Sequence, residues 1–244
     1  MIPRWHLIEG EAGCAYAREH ECVAIIVDAL RASATAAMLI DAGATEIWVV
    51  RDVDDAFRAR EACPGALLYG ERRGLPPAGF DHGNSPRDAV HAAGRPVIFT
   101  TTNGALRLVQ AWGAPVLYIG STTNALAVAM AARAHDREVV LIPAGSAEDP
   151  DHVTQEDWVA ATVIAQIAEA PIGEGAPQFR EWRHLMELDG IPKLFETAAH
   201  AATLRGIGLG EDVALCARVN TTSAVPAAVT KNRFGVILRS DMEN

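Results

Sequence analysis

Through the first two-thirds of the chain, short apolar runs alternate with amphipathic segments, and this alternation restricts the fold more than any other feature. Residues 22–28 form a continuous apolar run closed by an acid, the pattern of a strand buried on both faces. An alanine-rich helix is expected over 32–41, stopped by Gly43. Glu46–Val50 reads as a second strand, and a helix from Asp52 follows, burying Val53, Ala56 and Phe57 at helical spacing. Strands at 66–69, 96–99, 115–119 and 138–142 continue the series. Helices over 103–110 and 124–133 lie between them, the second with Leu126, Ala129 and Met130 turned inward. Such alternation predicts a three-layer α/β/α fold with a mostly parallel or mixed sheet. Beyond Gly145, helices are expected over 155–170, 179–188 and 193–203, then a flexible turn at Gly206, Gly208 and Gly210, then a closing strand at 234–238. No repeat or low-complexity linker interrupts the chain, so residues 1–244 are read as a single α/β domain.

Composition narrows the function. A net charge of -10 argues against a nucleic-acid binder, which normally carries a basic face. No apolar run approaches the roughly 20 residues that span a bilayer, so no membrane partner is expected. The N-terminal residues lack the long apolar stretch of a secretory signal, which points to the cytoplasm. Cys14, Cys22, Cys63 and Cys216 are scattered without a C-x-x-C pair, so buried free thiols are expected rather than a thiolate zinc site.

Charged residues and glycines crowd into residues 69–74 and 79–86. Glycine is used where backbone bends sharply or approaches a ligand closely, and acids beside arginines can hold a cation and an anion together. In an open α/β sheet, ligands bind at the carboxyl ends of strands. Asp28, Glu71, Thr101–Gly104 and Ser121–Asn124 each follow an expected strand, so parallel strands would gather them at one edge. Asp28 either caps the next helix or takes a cationic partner, Arg31 or a metal. Arg31 is either that partner or a fork for phosphate. Thr102, Asn103 and Gly104, with Ser121 and Asn124, read as helix N-caps whose free N–H groups also suit an anion. Glu156 and Asp157 favour the dipole of the helix they begin. Asp28, Glu71 and Asp81 suit Mg²⁺, which prefers oxygen ligands. His82 and His152 read as loop histidines without a partner at ligand spacing, although His82 could donate a proton to a leaving group. Nucleotide-binding glycine loops of the phosphate-loop and dinucleotide types are absent.

These residues also resemble a known family. Asp28-Ala29-Leu30-Arg31-Ala32-Ser33-Ala34-Thr35 is similar to the D-x-L-R-A-[ST]-x-T segment of the 2-phosphosulfolactate phosphatases. Gly70-Glu71-Arg72 and Gly79-Phe80-Asp81-His82-Gly83-Asn84-Ser85-Pro86 resemble that family's G-E-R and G-F-D-x-G-N-S-P, the second being the specific one. Thr101-Thr102-Asn103-Gly104, Gly120-Ser121 with Asn124-Ala125, Ala144-Gly145 and Glu156-Asp157 resemble further segments, and Asp212, Cys216, Asn220 and Val225-Pro226 follow the closing one. Pro143 stands where a cysteine commonly precedes A-G, and the stretch 146–152 is unusually acidic.

The resemblance implies an α/β fold with a mixed sheet and Mg²⁺-dependent release of phosphate from 2-phospho-3-sulfolactate, a step towards coenzyme M. The expected site therefore has Asp28, Glu71 and Asp81 on the metal, directly or through water. Arg31, Arg72, Thr102, Asn103, Gly104, Ser121 and Asn124 hold phosphoryl oxygens, and Asn84 and Ser85 meet the substrate. Arg73 or Lys231 would take the substrate's carboxylate or sulfonate. Either water or Asp28 is the nucleophile. A non-catalytic binder of a phosphorylated metabolite is the alternative. Acidic α/β enzymes of this size often pair, which admits a homodimer.

Overall fold

The computed structural model describes residues 2–147, 149 and 152–241. In chain order the elements are β1 (Trp5–Leu7), α1 (Gly10–Glu19), β2 (Val23–Val27), α2 (Ala32–Asp41), β3 (Glu46–Val50), α3 (Val53–Ala62), β4 (Leu67–Gly70), a 3₁₀ helix (Pro86–Ala92), β5 (Pro96–Thr100), α4 (Gly104–Ala111) and β6 (Val116–Ile119). A second 3₁₀ turn (Thr122–Asn124) precedes α5 (Ala125–Arg133) and β7 (Val139–Pro143). Then come α6 (Gln155–Ala168), α7 (Ala176–Asp189), α8 (Ile191–Thr197), α9 (Ala199–Gly206), α10 (Gly210–Cys216), β8 (Pro226–Lys231) and β9 (Gly235–Ser240). The α/β expectation holds, with a mixed sheet.

Nine strands form one sheet in the order β1-β7-β2-β6-β8-β9-β3-β5-β4. The blocks β1-β7-β2-β6 and β3-β5-β4 are each parallel. Between them β8 and β9 make three antiparallel pairings, β6 with β8, β8 with β9 and β9 with β3. Three reversals leave the two blocks running in opposite senses, so the premise that all strands are parallel does not hold. The site residues nevertheless meet. One side of both blocks joins α1, α2 and α4 in a common apolar core, which includes Ile26, Val49, Phe99, Ile119 and Leu39. The twisted sheet thus wraps these helices, and its halves approach across them. On the far side, α5, α6 and α8 to α10 cover the β2 block, while α3 covers the β4 block.

Several elements differ from expectation, and β1, α1, the 3₁₀ helix Pro86–Ala92 and β8 had no expected counterpart. On α5 the buried residues are Ala125, Val128, Ala129 and Ala132, whereas Leu126 and Met130 are exposed. The segment 193–203 is two helices, α8 and α9, parted at Ala198. Gly210 begins α10 rather than extending a turn. The strand β8 starts at Pro226, a position where the missing N–H is tolerated. Among the described residues, no helix is long and apolar enough to cross a membrane.

Candidate active site

Where the loops after β2, β4 and β5 meet the start of α6, a cavity of about 230 Å³ opens. Asp28, Glu71, Glu156 and Asp157 line it with carboxyls, and Arg31, Arg73, His152 and His200 supply basic groups.

Asp28 meets the start of the next helix, whereas Arg31, considered as its cationic partner, pairs with Asp212 instead. Asp28 Oδ1 accepts the Ala32 N–H at the start of α2, at 3.3 Å, and its carboxyl also lines the cavity. A Cβ on Gly104 would stand 2.9 Å from Asp28 Oδ2, so the glycine permits α4 to begin against this carboxyl. Glu71 joins two loops: Oε2 accepts the Gly74 N–H at 2.9 Å, and Oε1 accepts the Thr102 N–H at 2.9 Å and hydroxyl at 3.0 Å. The helix start expected to cradle phosphate therefore serves the protein's own carboxyls, since Thr102 N–H goes to Glu71 and Gly104 N–H to Asp28.

Asp157 Oδ1 accepts the Ala29 N–H at 2.7 Å, which ties α6 to the loop after β2. Glu156 is 5% exposed and also faces the cavity. Burial raises all three of these carboxyls. Asp28 is pushed up to about 6 by burial and then by Glu71, Glu156 to about 7 by burial with Asp28 adding, and Asp157 well above the usual carboxylate range by burial, Asp28 and Glu156. Burial also lowers the His200 imidazole, with the Arg31 charge adding to the effect.

Arg31 is 1% exposed. Its Nη1 donates to Asp212 Oδ2 at 2.6 Å and its Nη2 to the Gly74 carbonyl at 2.9 Å, while buried Nε has no partner. Asp212, itself fully buried, also accepts the Ser85 hydroxyl at 2.8 Å. Asn84 lines the cavity with a buried and unpartnered Oδ1.

The structure thus brings together Asp28, Arg31, Glu71, Asn84, Thr102 and Asn103, with Gly104 in contact with Asp28 and Ser85 behind Arg31. The other expected site residues lie elsewhere. Asp81 accepts the Leu68 N–H at 2.8 Å and stands 3.6 Å from Arg60, outside the cavity lining. Arg72 spends its guanidinium on the carbonyls of Glu71 and Arg51 and on Thr100 Oγ1. Ser121 and Asn124 are buried in a mutual capping box, with Asn124 Nδ2 also donating to Ile119 and Ala224 carbonyls. Lys231 and His82 do not line the cavity, although Arg73 does. Cys216 is buried, and its carbonyl accepts the Thr122 hydroxyl. Of the acidic stretch, Glu148, Pro150 and Asp151 lie outside the described residues.

Sequence reasoning missed four participants, among them His152, which read as a loop histidine and lines the cavity. Glu156 and Asp157 carry the signature of a helix start, which hides their second duty. His200 sits in a segment without any motif, and only the packing of α9 brings it to the cavity.

A family model described as 2-phosphosulpholactate phosphatase matches residues 13–231. A protein of Deinococcus radiodurans named probable 2-phosphosulfolactate phosphatase is 35% identical over 216 residues, covering 85% of this chain and 88% of the relative. Identically named proteins of Carboxydothermus hydrogenoformans and Thermus thermophilus are each 34% identical, over 203 and 222 residues. They cover 83% and 88% of this chain, and 84% and 91% of the relatives. A match of this extent, on a chain whose motif residues Asp28, Arg31, Glu71, Asn84 and Thr102 share one cavity, places the protein in the 2-phosphosulfolactate phosphatase family.

Proposed function

We propose that the protein is a Mg²⁺-dependent phosphatase acting on the phosphate monoester of a small 2-hydroxy acid, with 2-phospho-3-sulfolactate as the substrate to test first. The observation that carries this reading is the two-sided cavity, in which acids raised by burial face the buried guanidinium of Arg31. Acids raised by burial and mutual repulsion favour either a proton or a cation among them. Their donors are all oxygen, which fits Mg²⁺. No three of them bring oxygens within 4.8 Å of one another among the described residues, so they would not all ligate one ion directly, and waters would complete its shell. Asp28 would hold it, with Glu71, Glu156 and Asp157 reaching it through water. A bound Mg²⁺ neutralises charge on the phosphoryl oxygens.

Arg31 is held by Asp212 and Gly74 at the cavity wall, and its Nε–H, which has no partner in the protein, is the donor it would offer a phosphoryl oxygen. Arg73 and His200 also line the cavity and would meet the acid tail of the substrate. Water or Asp28 attacks phosphorus, the ester P–O bond breaks, and the alkoxide leaves with a proton from solvent or His152. If Asp28 attacks, rapid quenching traps an acid-stable, hydroxylamine-sensitive acyl phosphate; with water as nucleophile none accumulates.

A phosphate-release screen over phosphorylated 2-hydroxy acids, with the divalent cation varied, tests the reading. Release on 2-phospho-3-sulfolactate that requires Mg²⁺ is expected. Binding of the ester without turnover under any cation would replace the enzyme reading with a metabolite-binding one.

A further inference from the structure

Outside the cavity just described, three side chains gather between the loop after β4 and the 3₁₀ helix Pro86–Ala92. Ligand atoms of His82, Asp88 and His91 lie within 4.8 Å of one another, and no other group of three or more His, Cys, Asp or Glu among the described residues does so. From this we propose a second, borderline-metal site of zinc type, with two imidazole nitrogens and one carboxylate as ligands and water completing the shell.

The local fold explains the gathering. A 3₁₀ helix has three residues per turn, so Asp88 and His91 stand one above the other on the same face. His82 is brought against them by strand geometry, since its backbone pairs with Tyr69 and its N–H donates to the Leu68 carbonyl at 3.1 Å. Tyr69 clamps both sides. Its ring lies 4.6 Å from the His82 ring, and its hydroxyl donates to the Asp88 carbonyl at 2.8 Å. The rings of His82 and His91 stack at 4.6 Å with planes 8° apart. None of the three ligand groups is committed to a hydrogen bond or ion pair with another described residue.

The chemistry selects the ion. Imidazole suits zinc, nickel and copper, whereas Mg²⁺ prefers hard oxygen donors. Parallel rings do not aim two nitrogens at one point, so the exposed His91 ring turns about its side-chain bonds as the ion enters. His82 lies two residues before Asn84 and three before Ser85, so an ion here would pin the loop that carries both. The reading is independent of the phosphatase proposal.

The test is zinc titration of the full chain by calorimetry in excess Mg²⁺, with thermal melts alongside. One zinc per chain that Mg²⁺ does not displace, and a melting temperature raised by zinc, are expected. Loss of an outer-shell partner already weakens metal binding about 10–100-fold, so His91→Ala should weaken zinc by at least about tenfold. Because His91 is exposed, the variant's melting temperature without zinc should match the wild type. Glu156→Gln should bind zinc as the wild type does. Absence of binding, binding equally strong in His91→Ala, or binding lost in Glu156→Gln would each overturn the site.

Discussion

Arg31 is a full positive charge removed from water, and Asp212 is the acid that offsets it across 181 residues of chain. Removing one member of a buried pair leaves the other uncompensated, at a cost of about 3–5 kcal/mol. Asp212→Ala should therefore lower unfolding free energy by about that amount in denaturant melts; a loss below about 1 kcal/mol would show that Arg31 finds water instead. Asp81 gives the opposite kind of test. Its carboxylate caps Leu68 N–H beside Arg60, so Asp81→Asn should cost about 1 kcal/mol of stability and leave phosphate release near wild type. Complete loss of activity with unchanged melting would return Asp81 to the metal. At this scale the sequence was only partly legible. Asp28, Glu71 and Arg31 stood out because each charge follows an apolar strand or a glycine bend. Asp81 shared a motif with Asn84 and Ser85, yet it sits at a different pleat of the same loop. Spacing does not report side-chain direction in irregular backbone.

Elements were legible where periodicity decided them. The buried run 23–27 and the alanine-rich helix behind it appear as read, because a strand buried on both faces leaves a continuous apolar pattern. On α5 the larger apolar residues suggested an inner face, but alanines allow close packing against α6 and leave Leu126 and Met130 outside. Polar substitution of those two should change stability by less than about 0.5 kcal/mol. The three-residue β1 and the six-residue β8 gave little signal; β8 begins with proline and meets β6 at a single register pair. Gly70 is the backbone position on which β4 depends. It has φ +152°, and a Cβ there would lie 2.2 Å from the Thr100 carbonyl oxygen. Gly70→Ala should cost about 3–5 kcal/mol and displace Glu71, read as joint loss of stability and activity. A variant with wild-type melting would show that the β4–β5 pairing yields without cost.

For the whole molecule, the meeting of three strand ends was foreseeable but its cause was not. The antiparallel β8–β9 insertion reverses half of the sheet, and wrapping around α1, α2 and α4 brings the halves back together. Charge at the shared site sets a pH dependence. The folded chain holds Asp28 and Glu156 up at about 6 and about 7, and Asp157 higher than usual, all above their unfolded values. Between about pH 4 and 7 the native state then binds more protons than the unfolded chain, so the ion-free protein loses stability as pH rises through that window. Mg²⁺ should reverse this loss. At about 100-fold over its Kd it contributes about 2.7 kcal/mol, or about 5–10 °C in melting temperature, with a larger shift at pH 7.5 than at pH 5. An equal shift at both pH values would remove the ion from these carboxyls.

The most direct measurement follows phosphate released from 2-phospho-3-sulfolactate while Mg²⁺ is titrated, with wild type and Asp28→Asn side by side. Saturable dependence on Mg²⁺, abolished by chelator, and a fall of at least about 100-fold in the variant are predicted. Release that persists at full rate in chelator, or in Asp28→Asn, would contradict the assignment of this cavity as a metal-assisted phosphoryl-transfer site.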